Sequence, residues 1–140
     1  MLASCRPRAF AARLDSRAES TSLARYLLRA YLAGLPFGDR YRDVGELLLG
    51  ELFANAVQHS GAPDDCLIEV RFAVANGRLR IEVHDAGAGR PSVLSATPCD
   101  EDGRGLFLVN ELAERWGCCP LAGGIGKFVW ALIAPSLLTV

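Results

Sequence analysis

CLIEVRFAVANGRLRIEVHD, residues 66–85, decides the fold. Cys66, Ile68, Val70, Phe72 and Val74 alternate with other residues, Asn76-Gly77 supplies a two-residue turn, and Leu79, Ile81 and Val83 resume the alternation. That pattern predicts an antiparallel hairpin with one apolar face. One further step of two brings Asp85 into phase with Leu79, Ile81 and Val83, so its carboxylate emerges on the apolar side of the sheet. A carboxylate in that position is costly unless protein donors or a bound group hydrogen-bond to it, which makes Asp85 a candidate functional residue.

Upstream, residues 8–14 suit a short first strand. In AESTSLARYLLRAYLAGL (18–35), Leu23, Tyr26, Leu27, Ala30 and Tyr31 recur at the spacing of an amphipathic helix. Leu35-Pro36-Phe37-Gly38-Asp39 breaks it, and a second helix is expected from about Tyr41 to His59, ended by Ser60-Gly61-Ala62-Pro63. On that helix Val44, Leu48, Glu51 and Asn55 share a stripe. Glu51 and Asn55 therefore point the same way, toward the interior or a cavity.

Downstream of Asp85, residues 86–102 form a loop of about seventeen residues rich in Gly, Pro and small polar residues, long enough to suggest a functional lid over about 86–104. Gly103-Arg104-Gly105 then opens a helix carrying Leu106, Val109, Asn110, Leu112 and Ala113, expected to run to Glu114-Arg115-Trp116-Gly117. Helix N-termini favour phosphate, and glycines let a phosphate approach the backbone closely. Two closing strands are expected around Cys118–Ala122 and Gly126–Ala134.

The order strand, helix, helix, hairpin, loop, helix, hairpin predicts an α+β two-layer sandwich. Its helices lie on one face of a mixed, mostly antiparallel sheet. The 140 residues suit one domain, 1–140. A crossover-helix dinucleotide fold does not match this order, and no GxxxxGK[ST] phosphate loop occurs. Fifteen Lys and Arg against sixteen Asp and Glu leave a net charge of −1, which gives no general electrostatic drive toward nucleic acid or anionic membranes. No apolar run reaches membrane-spanning length, and a cytoplasmic location is expected. Five cysteines, at 5, 66, 99, 118 and 119, contain no CxxC pair and read as reduced, structural thiols.

Three segments carry a resemblance. ELFANAVQHS (51–60), DAGAG (85–89) and GRGLFLVN (103–110) resemble, in order, the N box and the two glycine boxes of the GHKL (Bergerat-fold) ATP-binding family. With GRGLFLVNELAERWG (103–117) followed by GKFVW (126–130), the chain looks closest to the stand-alone anti-sigma-factor serine/threonine kinases of bacteria. The resemblance implies ATP and Mg²⁺ as cofactors. Asn55 would be the magnesium ligand and Asp85 the acceptor for the adenine amino group. Gly87 and Gly89 would lie beside the base, and Gly103, Arg104, Gly105 and Leu106 would lie at the phosphates.

On this resemblance Glu51 is the general base of a kinase that phosphorylates an anti-sigma-factor antagonist and binds a sigma factor, and a homodimer through the N-terminal strand and helix is a further expectation. Phe128 stands where that subgroup commonly reads GKTVW, and its phenyl ring, which cannot replace the hydrogen bond of the threonine hydroxyl, is expected to narrow the base pocket. That expectation supports an alternative, a catalytically inactive ATP-binding regulatory module that controls partner binding through its lid.

Overall fold

The computed structural model describes residues 9–60, 66–85, 106–120 and 126–137. Strand β1 (Ala9–Asp15) leads into helix α1 (Ser20–Ala33), and a 3₁₀ turn (Gly38–Tyr41) precedes helix α2 (Arg42–Ser60). The predicted hairpin is β2 (Leu67–Ala75) and β3 (Arg78–Asp85). Its turn holds Asn76 at φ 53° and Gly77 at φ 72°, the pair of positive angles that matches the twist of the two strands. Helix α3 (Phe107–Leu112), β4 (Arg115–Pro120) and β5 (Lys127–Ile133) complete the described elements.

The strands form one sheet in the order β1-β2-β3-β5-β4, and each of the four pairings is antiparallel. Ile68, Val70 and Phe72 of β2, Leu79, Ile81 and Val83 of β3, and Val129, Ala131 and Ile133 of β5 are all buried. Leu28 and Leu32 of α1 and Leu48, Leu49, Leu52 and Phe53 of α2 join them in one core. Each fully buried aliphatic or aromatic side chain contributes roughly 1.5–3 kcal/mol. An exposed ion pair such as Arg78–Glu114 contributes about 0–1 kcal/mol, so the core rather than the surface charge holds the layers together.

Helix α2 is the central element, because it meets β3 on one side and α1 on another. A Cβ added at Gly45 would sit 3.2 Å from Leu79 Cδ2 and 3.3 Å from Leu28 Cδ2, so the small residue lets sheet and α1 close around the helix. At Gly50 the Arg25 guanidinium occupies the space a side chain would need, and Arg25 Nε donates to the Glu46 carbonyl at 3.3 Å.

One boundary differs from the sequence expectation. Helix α3 ends at Leu112, and residues 115–117 belong to β4 rather than to the helix. Ala113 adopts extended angles (φ −82°, ψ 146°), Glu114 N–H donates to Leu132 C=O at 2.8 Å, and Arg115 pairs with Leu132. The ladder with β5 captures Arg115 and Trp116, whose helix propensities are adequate, and Gly117, whose low propensity already disfavours a continued helix. The thiols also differ: Cys66 and Cys119 are free, whereas Cys118 is disulfide-bonded.

Candidate functional site

Two facts set the direction of α2. Gly45, near its start, lies against Leu79 at the start of β3. Only residues 61–65 separate its end from the region of β2 whose Ile68 pairs with Asp85. Helix and strand therefore run in the same sense. From Gly45 to Asn55 the helix advances about 15 Å, and from Leu79 to Asp85 the strand advances about 20 Å. Asn55 thus comes up beside the Asp85 end of the sheet, with Glu51 one turn behind it.

Asp85 is 7% exposed and stands in phase with the buried Leu79, Ile81 and Val83, as its strand position requires. Among the described residues no fully buried side-chain nitrogen or oxygen lacks a hydrogen-bond partner, and Asp85 interacts with other groups of the protein. It is an acceptor held at the end of an apolar face.

Glu51 and Asn55 are half-buried, between the sealed stripe of Leu48, Leu52 and Ala56 and the exposed side of α2. Neither side chain is taken up by a hydrogen bond or ion pair among the described residues. Glu46, just over one turn earlier, behaves differently. It accepts from Arg29 Nε and Nη2 at 3.1 and 2.9 Å and from Arg42 Nε at 3.1 Å. The hydrogen bond from Arg29, outweighing burial and aided by Arg42, holds the Glu46 carboxyl below the usual range. Of the two acids on this stretch of α2, Glu51 is the one left available as a proton acceptor.

Leu106 and Val109 are buried in the core, and Leu106 anchors the start of α3 against it. Gly87, Gly89, Gly103, Arg104 and Gly105 lie outside the described residues, as does the lid expected over about 86–104. Among the described residues no group of three His, Cys, Asp or Glu side chains is placed to hold a metal ion. Asn55 offers one amide oxygen, a hard ligand of the kind magnesium accepts alongside phosphate and water.

Phe128 requires a correction. It pairs with His84, whereas Asp85 pairs with Lys127. Successive side chains on a strand point to opposite faces, so Phe128 lies on the face away from Asp85. Its ring stacks on His84, with centroids 4.6 Å apart and planes 8° from parallel. The residue does not narrow a base pocket at Asp85. Lys127 is the β5 residue beside Asp85.

The face carrying Phe128 is a polar and aromatic network. Arg80 Nε donates to Glu82 Oε2 at 2.7 Å, His84 Nε2 lies 2.7 Å from Glu82 Oε1, and the Arg80 guanidinium sits 4.7 Å over the Trp130 ring. Burial raises the Glu82 carboxyl, but the bonds from His84 and Arg80 outweigh it and leave the group below its usual value. A lowered carboxyl stabilises the fold above its unfolded value near pH 4.3, and the contribution is lost as pH falls through the folded value. Glu82→Gln is expected to lose stability at neutral pH, by a few tenths to about 1 kcal/mol, and to converge on the wild type below about pH 4. Urea melts across pH 3–8 check this, and a difference that stays constant with pH contradicts the ionic role.

The profile of the histidine kinase-like ATPase domain family matches residues 14–118, well over half of the chain. No curated protein matches the chain. The matched region begins at the end of β1 and includes α1, α2 with Glu51 and Asn55, β2, β3 with Asp85, and α3. No described helix is long and apolar enough to cross a membrane.

Proposed function

Because the chain belongs to the family of histidine kinase-like ATPase domains, which implies ATP binding, we propose that it is an ATP- and Mg²⁺-dependent serine/threonine protein kinase. Its substrate on this reading is an anti-sigma-factor antagonist protein, and its other partner is a sigma factor. The observation that carries the proposal is the contrast on α2, where Glu46 is consumed by arginines while Glu51, one turn before Asn55, is half-buried and unengaged among the described residues.

ATP as substrate would supply the phosphoryl group, and a bound Mg²⁺ would neutralise charge on its phosphates. Asp85 would accept from the amino group of the base, and Asn55 would supply an amide oxygen to the metal. Glu51 accepts the proton of a seryl or threonyl hydroxyl as the new oxygen–phosphorus bond forms and the bond from the γ-phosphorus to the bridging oxygen breaks. Gly103, Arg104 and Gly105 are assigned to the phosphates by their place in the second glycine box.

Phe128 was the reason to favour an inactive module, and its position on the far face removes that reason. A homodimer through the N-terminal strand and helix is supported by Leu23 and Tyr26 of α1, which are 48% and 57% exposed on the side away from the buried Leu28 and Leu32. The test is incubation of the purified protein with γ-labelled ATP, Mg²⁺ and the antagonist encoded beside it. Label on a seryl or threonyl residue of the antagonist is expected; ATP bound without any label transferred contradicts the kinase reading.

A further inference from the structure

Resting on the reading of Asp85 as the acceptor for the base amino group, we infer that Lys127 is a second base-reading residue, whose ammonium donates to the ring nitrogen flanking that amino group. The register carries the argument. Asp85 and Lys127 are direct cross-strand partners on β3 and β5, so their side chains leave the same face of the sheet at the same level. That face bears the buried Val83 and Val129 one step further into the core. At this end of the apolar surface the sheet therefore presents one acceptor and one donor side by side.

An adenine ring presents the complementary pair: an amino donor flanked on either side by an acceptor nitrogen, N1 or N7. Reading two adjacent atoms of opposite polarity discriminates better than reading one, because a mismatch leaves two partly desolvated groups unpaired. A guanine in the same pose sets its carbonyl against the carboxylate. Lysine suits the task, as a flexible stem bearing a compact charge with three donors.

Lys127 is partly buried, and burial lowers the ammonium below its usual value despite the opposing attraction of Asp85. Removing it leaves the buried Asp85 without its cross-strand opposite charge, so Lys127→Met is expected to lose stability as well as affinity, and the nucleotide analogues rather than the melting temperature separate the two roles.

The experiment measures ATP binding by calorimetry and melting temperature for wild type, Lys127→Met and Asp85→Asn, with 1-deaza-ATP and 7-deaza-ATP as probes. Lys127→Met is expected to keep a cooperative melt, at a lower temperature than wild type, and to bind ATP roughly tenfold more weakly. One of the two deaza analogues is expected to lose the same factor on wild type and nothing further on Lys127→Met. Unchanged ATP affinity in Lys127→Met, with Asp85→Asn still impaired, overturns this inference and leaves the Asp85 reading intact. Additive losses for variant and analogue place the ammonium elsewhere on the nucleotide and also overturn it. Absence of ATP binding by the wild type overturns both.

Discussion

Glu51→Gln is expected to slow phosphoryl transfer to the antagonist by roughly 10²- to 10⁴-fold, the usual contribution of a positioned general base. The same variant should bind ATP within about twofold of wild type, since a base acting on the incoming hydroxyl stabilises the transition state and not the bound nucleotide. The structure makes the variant a clean probe. Glu51 is half-buried, forms no hydrogen bond or ion pair among the described residues, and lies on a helix held by Leu48, Leu49, Leu52 and Phe53. Single-turnover transfer with saturating ATP, beside a calorimetric affinity, separates the two effects. Glu46→Gln is the matched control, because it removes an acid on the same helix that is already bound to Arg29 and Arg42. Equal transfer rates for Glu51→Gln and wild type would exclude Glu51 as the base.

The second large effect belongs to Asp85→Asn. Replacing a charged acceptor with an amide is expected to weaken ATP binding by roughly 10- to 100-fold, the value of about 1.5–3 kcal/mol for a hydrogen bond to an ionised group. Preference for ATP over GTP should shrink as well, because the amide nitrogen can donate to the guanine carbonyl that a carboxylate repels. Asp85 is buried, so the melting temperature must be followed alongside. Competition between ATP and GTP on the folded variant gives the selectivity directly, and retention of full preference for ATP would remove Asp85 from base reading.

Much of the sheet, and the placement of Asp85 on it, was legible in the sequence. Alternation in residues 66–85 fixes both the hairpin and the phase of Asp85, because a strand has a period of two and only one register buries its apolar face. Helical spacing likewise places Glu51 and Asn55 together, since residues four apart share a face. The start of β4 was not legible: Glu114 and Arg115 read as helix, and the pairing that claims them runs to Leu132, seventeen residues beyond Arg115 along the chain. Local periodicity does not carry that contact.

Phe128 and Lys127 show a subtler failure. Matching GKFVW to GKTVW aligns residue types but not strand parity, and the role of each residue depends on which neighbour it faces across β3. The pairing of Asp85 with Lys127 moves Phe128 to the opposite face, stacked on His84. A one-residue difference in register is enough to exchange a base-pocket residue for an outer-face one. The disulfide at Cys118 has the same character, since spacing along the chain does not report proximity in the fold.

The central claim is that the end of the sheet at Asp85, with the stripe of Glu51 and Asn55, is a nucleotide site. Calorimetric titration of the wild-type protein with ATP, with and without Mg²⁺, tests it most directly. The account predicts saturable binding of one ATP per chain, tightened by Mg²⁺ and weakened by Asp85→Asn. A titration that shows no saturable heat up to millimolar ATP in the presence of Mg²⁺, from protein with a cooperative thermal melt, would contradict it.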